Sequence, residues 1–440
     1  MGKIPGIRGP AHIQTKQLRI AELAKGRPDL VFTSLAHHID VHWMHEAFVR
    51  TRKDGATGVD GKTAEDFEQD LTGNLKVLVE RLKSGNYKVP PGRRTHIEKG
   101  GGKKRPIAIQ TFDDKVLQRA VTMILEPLYE QDFHDFSYGF RPGRSAHMAV
   151  KATSEHLWKQ GGGWVVEVDI SGFFDEIDHG ALRSILDQRV RDGVLRRSID
   201  KWLRAGVLED GIITRSSMGT PQGGVVSPLL ANIFLHEVVD NWFTKEVRPR
   251  FQGAAMFRYA DDIVMAFNSE REAAKVLAVT RKRFEKYGLR LHPEKTRIVD
   301  FRRPNPGAQQ IGRPRPGTIG FLGFDLYWGL GRQKFWCLKK KTKAKKLRES
   351  LAEISAWCRA NRHKKVRWQH KKLSEKILGH YAYFAVTGNI RSLENFLYGT
   401  CRIWGKWLSR RSQKKHLSRT TFYKRLSKNP LPYPKIVHKL

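Results

Sequence analysis

Apolar positions along this chain follow two periods. Phe67, Leu71, Leu75, Leu78 and Leu82 recur at spacings of three and four, which predicts one amphipathic helix. The same spacing marks residues 113–130 through Val116, Leu117, Ala120, Val121 and Ile124, and residues 270–287 read as a further helix. Near the C-terminus it returns three times: Leu347, Leu351, Ile354 and Cys358; Leu373, Ile377, Tyr381 and Phe384; Leu393, Leu397, Cys401, Trp404 and Leu408. Asp178 reads as the N-cap of one helix, and Ser227 followed by Pro228 starts another. Runs rich in β-formers predict strands at 164–168, on both sides of Asp261-Asp262, at 289–299 and as a short pair at 319–326. Residues 302–318 are rich in Pro and Gly and read as a loop. Residues 1–35 are basic and weakly patterned, and read as a partly ordered extension.

Charge changes this picture most at one end. The 440 residues, about three domain-sized units, carry a net +37. Residues 331–440 hold 30 Lys and Arg against four Asp and Glu, so that quarter carries most of the excess. Trp368, Trp404 and Trp407 are interleaved with it. A basic helical bundle carrying aromatic rings suits a polyanionic partner, nucleic acid above all. Cys337, Cys358 and Cys401 lie far apart with no CxxC pair, which argues against a zinc ribbon or a cysteine-bearing nuclease module and fits a reducing cytoplasm. No apolar run approaches the ~20 residues of a membrane span, and the opening MGKIPGIRGP lacks both an apolar signal core and the Ser/Thr of a myristoylation site.

Candidate chemistry is concentrated in a few stretches. Asp261 and Asp262 sit between two strand-like runs, MFRYA and IVMAF. Aspartates are common in tight turns. Two adjacent carboxylates also repel one another unless a cation lies between them, and hard oxygen donors suit Mg²⁺. Asp169 ends the strand WVVEV, where a carboxylate can project into a cleft. The Gly100-Gly101-Gly102 tip, flanked by Lys and Arg, reads either as a solvated loop or as a mobile hairpin able to close on a triphosphate. The loop Gly219-Thr220-Pro221-Gln222-Gly223-Gly224 has little bulk, which suits close approach of a substrate backbone. His38, His42 and His45 share one helix face, and packing or RNA contact is the plainer reading of them than a metal site.

Set in order, these stretches closely resemble bacterial group II intron-encoded reverse transcriptases, also called maturases. The resemblance runs from about residue 45 to the C-terminus and is carried by RPIAI, SYGFRPGRSAH, VDISGFFDEIDH, GTPQGGVVSPLLANIFL, FRYADD, LHPEKT and GFLGF. It implies an α+β right-hand polymerase: a basic extension at 1–45, fingers at 46–160, a palm with an antiparallel sheet at 161–330, and an α-helical thumb/maturase domain at 331–440. It implies that Asp169, Asp261 and Asp262 are catalytic, holding two Mg²⁺ ions with the Ile170 carbonyl as an extra ligand. It implies that Lys99 and Arg105 hold the triphosphate and that Gln222 touches the incoming nucleotide. Phe174, five residues after Asp169, would be the aromatic wall that excludes a 2′-hydroxyl. The implied partners are group II intron RNA, an RNA template with a DNA primer, dNTPs and target DNA, with no membrane. No endonuclease is expected after the Pro-rich 431–434 segment.

The chain departs from the family pattern at two places. Ile97-Glu98-Lys99 stands where Ile-Pro-Lys is common, and Ala108-Ile109-Gln110 where Gly-Ile-Pro is common. An acid beside Lys99 opposes the binding of a triphosphate there. Competing readings are a domesticated or retron-like reverse transcriptase without a splicing role, an RNA-binding splicing cofactor with a dead polymerase, and an RNA-dependent RNA polymerase. Intact Asp169, Asp261, Asp262 and Phe174 argue against the second, and the ring at 174 against the third.

Overall fold

Helix starts are fixed by short polar side chains that accept the first free amide hydrogens. In the computed structural model, which describes residues 10–98, 104–214, 218–220, 223–304, 317–331, 335–411 and 417–440, Asp40 caps Val41–Arg50, Thr111 caps Phe112–Tyr129, Asp178 caps His179–Asp187 and Asp192 caps Gly193–Arg204. The single helix expected through Phe67, Leu71, Leu75, Leu78 and Leu82 is two helices, Ala64–Gln69 and Leu71–Ser84. Asp70 breaks it by turning its carboxylate onto the Gly73 amide at 3.0 Å.

The first compact unit takes the chain up to Ser145 with Val168–Ile263 and Ala274–Thr296. Its core surrounds Phe112–Tyr129, whose Val116, Leu117, Ala120, Val121 and Ile124 are fully buried. Val41–Arg50 packs on this helix, as does Pro10–Gly26, which the weak N-terminal patterning did not announce. Arg189 ties that segment down: it holds Asp132 with two bonds and donates to the carbonyls of Ala24, Arg27, Pro28 and Leu30. A four-stranded sheet pairs Gly92–Glu98 antiparallel with Lys104–Ile109 and parallel with Val207–Glu209, which pairs in turn with Ile212–Thr214.

Inside this unit Asp114 is fully buried. Its Oδ1 accepts from Tyr87 Oη at 2.8 Å and from Trp202 Nε1 at 3.2 Å. Burial pushes its carboxyl up to about 7. The folded state therefore holds this proton more tightly than the unfolded chain, and the contribution to stability falls as pH rises from about 4 through about 7. Asp114→Asn mimics the protonated form and is expected to flatten that part of the profile. Urea unfolding of both proteins at the two ends of this range checks it; parallel profiles would contradict it.

The second unit comprises Ala146–Glu167, Val264–Ala273 and Arg297–Leu440. Thr318–Phe321, Phe324–Leu330 and Trp336–Thr342 form an antiparallel sheet, one strand more than the expected pair. The helices Ala344–Asn361, Val366–Phe384 and Ile390–Ser409 follow as the apolar spacing predicts, and Arg419–Lys428 adds a fourth. No described helix is long and apolar enough to cross a membrane. The whole is a mixed α+β chain.

One further sheet positions the carboxylates. Its strand order is Arg297–Asp300, Trp164–Val168, Asp262–Phe267, Ala255–Tyr259. The return strand expected over 289–299 is interrupted. Arg290–Leu291 pairs with Ile170–Ser171, and residues 292–296 turn before Arg297–Asp300 begins. Pro293 lacks the amide hydrogen a continuous strand would need.

Candidate active site

The two central strands of that sheet place Asp169 and Asp261-Asp262 at one edge. Gly163 precedes one strand and Phe267 ends its neighbour, and a Cβ on Gly163 would lie 2.5 Å from the Phe267 carbonyl oxygen. The strands are therefore antiparallel. Followed to their other ends, Asp169 emerges beside the Asp261-Asp262 turn.

Asp169 is held through its main chain. Its carbonyl accepts from the His292 amide at 2.8 Å, and the Thr296 hydroxyl lies 3.3 Å from both its amide nitrogen and its carbonyl oxygen. Its carboxylate stays available, with the side chain 31% exposed, and accepts from Lys295 Nζ at 2.7 Å. Thus LHPEKT wraps Asp169 and supplies its counter-charge. Ile170 follows with its side chain buried.

The Asp261-Asp262 turn has an unusual backbone. Ala260 has φ +54°, a left-handed conformation that costs a non-glycine residue energy. Arg258 Nη1 donates to the Ala260 carbonyl at 3.2 Å and to Asn232 Oδ1 at 2.9 Å. Its Nε and Nη2 grip Asp240 at 2.8 and 2.5 Å, and both side chains are fully buried. Asn232 Nδ2 also donates to the Gly139 carbonyl at 2.6 Å. Gly139 lies against the turn itself, where a Cβ would sit 2.3 Å from the Ala260 nitrogen. His236 is near Asp240, but burial pushes its imidazole down to about 4, so at neutral pH the countercharge is Arg258. Asp261 is half-buried and Asp262 exposed.

Phe174 lies in the short helix Phe173–Glu176, half-buried, its ring 5.2 Å from that of Phe173. Its carbonyl accepts from the Thr220 amide at 2.7 Å. Gly219, at φ +88°, lies against Asp175, where a Cβ would be 2.8 Å from the carbonyl oxygen. Gly223 approaches the Lys104–Ile109 strand, where a Cβ would meet Ile107 at 2.7 Å. Arg105 is exposed and, two residues from Ile107, shares its side of that strand. The structure thus brings Phe174, the described flanks of the 219–224 loop and the Arg105 strand together. Gln222 and Lys99 lie outside the described residues.

Sequence reading gave no role to Lys295, Thr296, Arg258, Asp240, Asn232 or Gly139. An arginine inside the strand Ala255–Tyr259 was the available signal, since a buried guanidinium needs a carboxylate partner.

Among the described residues, no three His, Cys, Asp or Glu side chains are gathered tightly enough to hold a metal by themselves. That covers the His38, His42 and His45 face. Asp169 and Asp261-Asp262 nonetheless have the chemistry Mg²⁺ requires: a few hard carboxylate oxygens, to which substrate phosphates can add.

The model of the family described as reverse transcriptase (RNA-dependent DNA polymerase) matches residues 97–326, more than half of the chain. Protein YkfC of Escherichia coli K12 is 34% identical over 327 residues, covering 65% of this chain and 84% of that protein. The group II intron-encoded protein LtrA of Lactococcus lactis subsp. cremoris is 40% identical over 225 residues, 50% of this chain but only 37% of that protein. Nuclear intron maturase 2, mitochondrial, of Arabidopsis thaliana is 34% identical over 125 residues, 26% of this chain and 17% of that protein. The family generally uses divalent metal ions. This chain belongs to the reverse transcriptase family of RNA-dependent DNA polymerases.

Proposed function

We propose that this protein copies group II intron RNA into DNA at Asp169, Asp261 and Asp262, and that its basic C-terminal helices grasp the same RNA and assist its splicing. One observation carries the reading: Asp169 and the Asp261-Asp262 turn share one sheet edge, inside the segment the family model matches. The proposed division is fingers at 46–160, palm at 161–330 and thumb/maturase domain at 331–440, after a basic segment at 1–45. The substrates are an RNA template with a DNA primer, dNTPs and, for mobility, target DNA.

Asp169 and Asp261 would hold two Mg²⁺ ions, with Asp262 beside them and the Ile170 carbonyl assisting; such ions would supply Lewis-acid activation of the primer 3′-hydroxyl and neutralisation of the leaving pyrophosphate. The chain's own residues do the rest. Arg258 and Gly139 fix the turn that presents Asp261 and Asp262. Lys295 keeps the Asp169 charge compensated and must yield for a cation to bind there. Arg105 and Lys99 meet the triphosphate, and Gln222 the incoming nucleotide.

In this reading Phe174 walls off the 2′ side of the sugar. Phe174→Val is expected to raise ribonucleotide incorporation while dNTP use partly survives, because removing the ring opens room for a hydroxyl. Primer extension with rNTPs alone measures it; an active variant that still rejects rNTPs would take Phe174 out of this role.

The test of the function is a pair of assays. The protein should extend a DNA primer on an RNA template, and should lower the Mg²⁺ needed for splicing of the intron RNA that flanks its gene. No cDNA from RNA sinks the polymerase reading. Synthesis without splicing assistance sinks the maturase half alone.

A further inference from the structure

We propose that the cavity between the helices Val366–Phe384, Ile390–Ser409 and Arg419–Lys428 is a pocket for one unpaired RNA nucleotide, its base inside and its phosphates on the arginine rim. The inference rests on the RNA-binding reading above and deepens it by naming a place and a form of RNA.

The cavity measures about 730 Å³, within the size range of small-molecule sites. Its inner face is apolar and built. Trp404, Leu408 and Phe422 are all buried. The Trp404 indole is fixed by its Nε1 donating to Gln369 Oε1 at 3.0 Å, and Phe422 meets it edge-on with ring centres 5.6 Å apart. Gly405 makes room for this ring, since a Cβ there would lie 3.1 Å from Phe422.

The rim has a different chemistry. Arg367, Arg411 and Arg425 line the cavity and are exposed, and among the described residues no Asp or Glu lines it. The described ion pairs of these C-terminal helices are Lys346–Glu349 and Lys372–Glu375, neither of which touches the rim. A second hollow of about 470 Å³ shares Leu417 and Phe422 with the first and adds Arg402, Lys406 and Arg419, again with no acid among the described residues. Phe422 thus stands between two adjoining basic hollows.

A duplex would use the cations but not the cavity, because its bases are already stacked and its grooves are read by shape. A single strand uses both: bases stack on rings and guanidinium planes while phosphates meet the cations. The apolar cavity beside a basic rim therefore favours an unpaired strand, its phosphates on the arginines and one base in the larger hollow.

The experiment uses the full chain and fluorescence anisotropy. The probes are an oligouridylate, the same oligomer with abasic residues, and an RNA duplex of matched length. Leu426→Trp fills the larger cavity, and Arg367→Gln with Arg425→Gln neutralises exposed rim positions without touching the core. We expect Leu426→Trp to weaken oligouridylate binding about tenfold or more, to leave duplex binding within about twofold, and to lose nothing further on the abasic probe. The arginine variant should weaken both oligomers and flatten the salt slope. The pocket is overturned if the filled chain, folded by circular dichroism, binds the oligouridylate as before, or if abasic and intact oligomers bind the original chain equally. It is also overturned if the arginine variant binds as the original does, or if a protein segment rather than RNA proves to occupy the cavity. If the original chain binds no RNA at all, the RNA-binding reading fails, and the pocket with it.

Discussion

Replacing Asp261 and Asp262 together by Asn is expected to cut cDNA synthesis by at least about a thousandfold while protein-assisted splicing survives. Asn keeps the size of each side chain but removes both charges, so the edge shared with Asp169 no longer attracts a divalent cation strongly enough. Asp262 is exposed and Asp261 half-buried, so the double change leaves the core intact. Splicing assistance needs the protein to stabilise an RNA fold, a task that the proposed division of labour gives to the thirty Lys and Arg of residues 331–440. The complementary variant neutralises Lys339–Lys346. It should lose splicing assistance first and weaken synthesis only through poorer template binding. Primer extension and splicing, measured on each variant, decide the matter. A folded aspartate variant that loses both activities would contradict this division of labour.

Arg258→Met is expected to cost about 3–5 kcal/mol, because it strands the Asp240 carboxylate in a site from which water is excluded. Adding Asp240→Leu removes the orphaned charge and should restore much of that stability, since an apolar pair of similar volume is often no worse than a buried ion pair. Activity should not return with it. Without Arg258 the Ala260 carbonyl loses its donor, and so does Asn232 Oδ1. The turn, strained at φ +54°, is then free to relax. Urea midpoints and primer extension on the single and double variants separate the two effects. Full activity in the double variant would make the network purely structural.

Residues 113–130 show why much of the fold was legible. Their apolar spacing continues over several turns, and the helix found is Phe112–Tyr129. The Asp261-Asp262 hairpin was as clear, its apolar flanks closing on the only polar pair between them. Failures came where a local hydrogen bond or a tertiary partner overrode pattern. Asp70 ended a helix whose apolar stripe ran straight past it. Trp336–Thr342 was hidden because one inward position is Lys340, only 7% exposed, which disguised the alternation. Arg419–Lys428 buries little besides Phe422 and so shows no stripe. At the site, the carboxylates and Phe174 were nominated by strand ends and by resemblance. Their supports were not, because Arg258, Asp240, Asn232 and Gly139 act as a set only once folding has joined distant segments, and a residue's partner is not written beside it.

The way Asp169 is held also sets a clock on synthesis. Thr296 and Asp169, hydrogen-bonded to each other, lie 127 positions apart in the chain. A ribosome adding about 5–20 residues each second needs roughly 6–25 s to make that interval. During that time the nascent polypeptide has Asp169 but neither Thr296 nor Lys295. The carboxylate edge therefore forms late, after the paired strands Gly92–Glu98 and Lys104–Ile109 and the Phe112–Tyr129 helix have emerged. A ribosome stalled before residue 296 would hold an intermediate whose Asp169 lacks both the Thr296 bond and the Lys295 counter-charge, and which also lacks the basic residues 331–440.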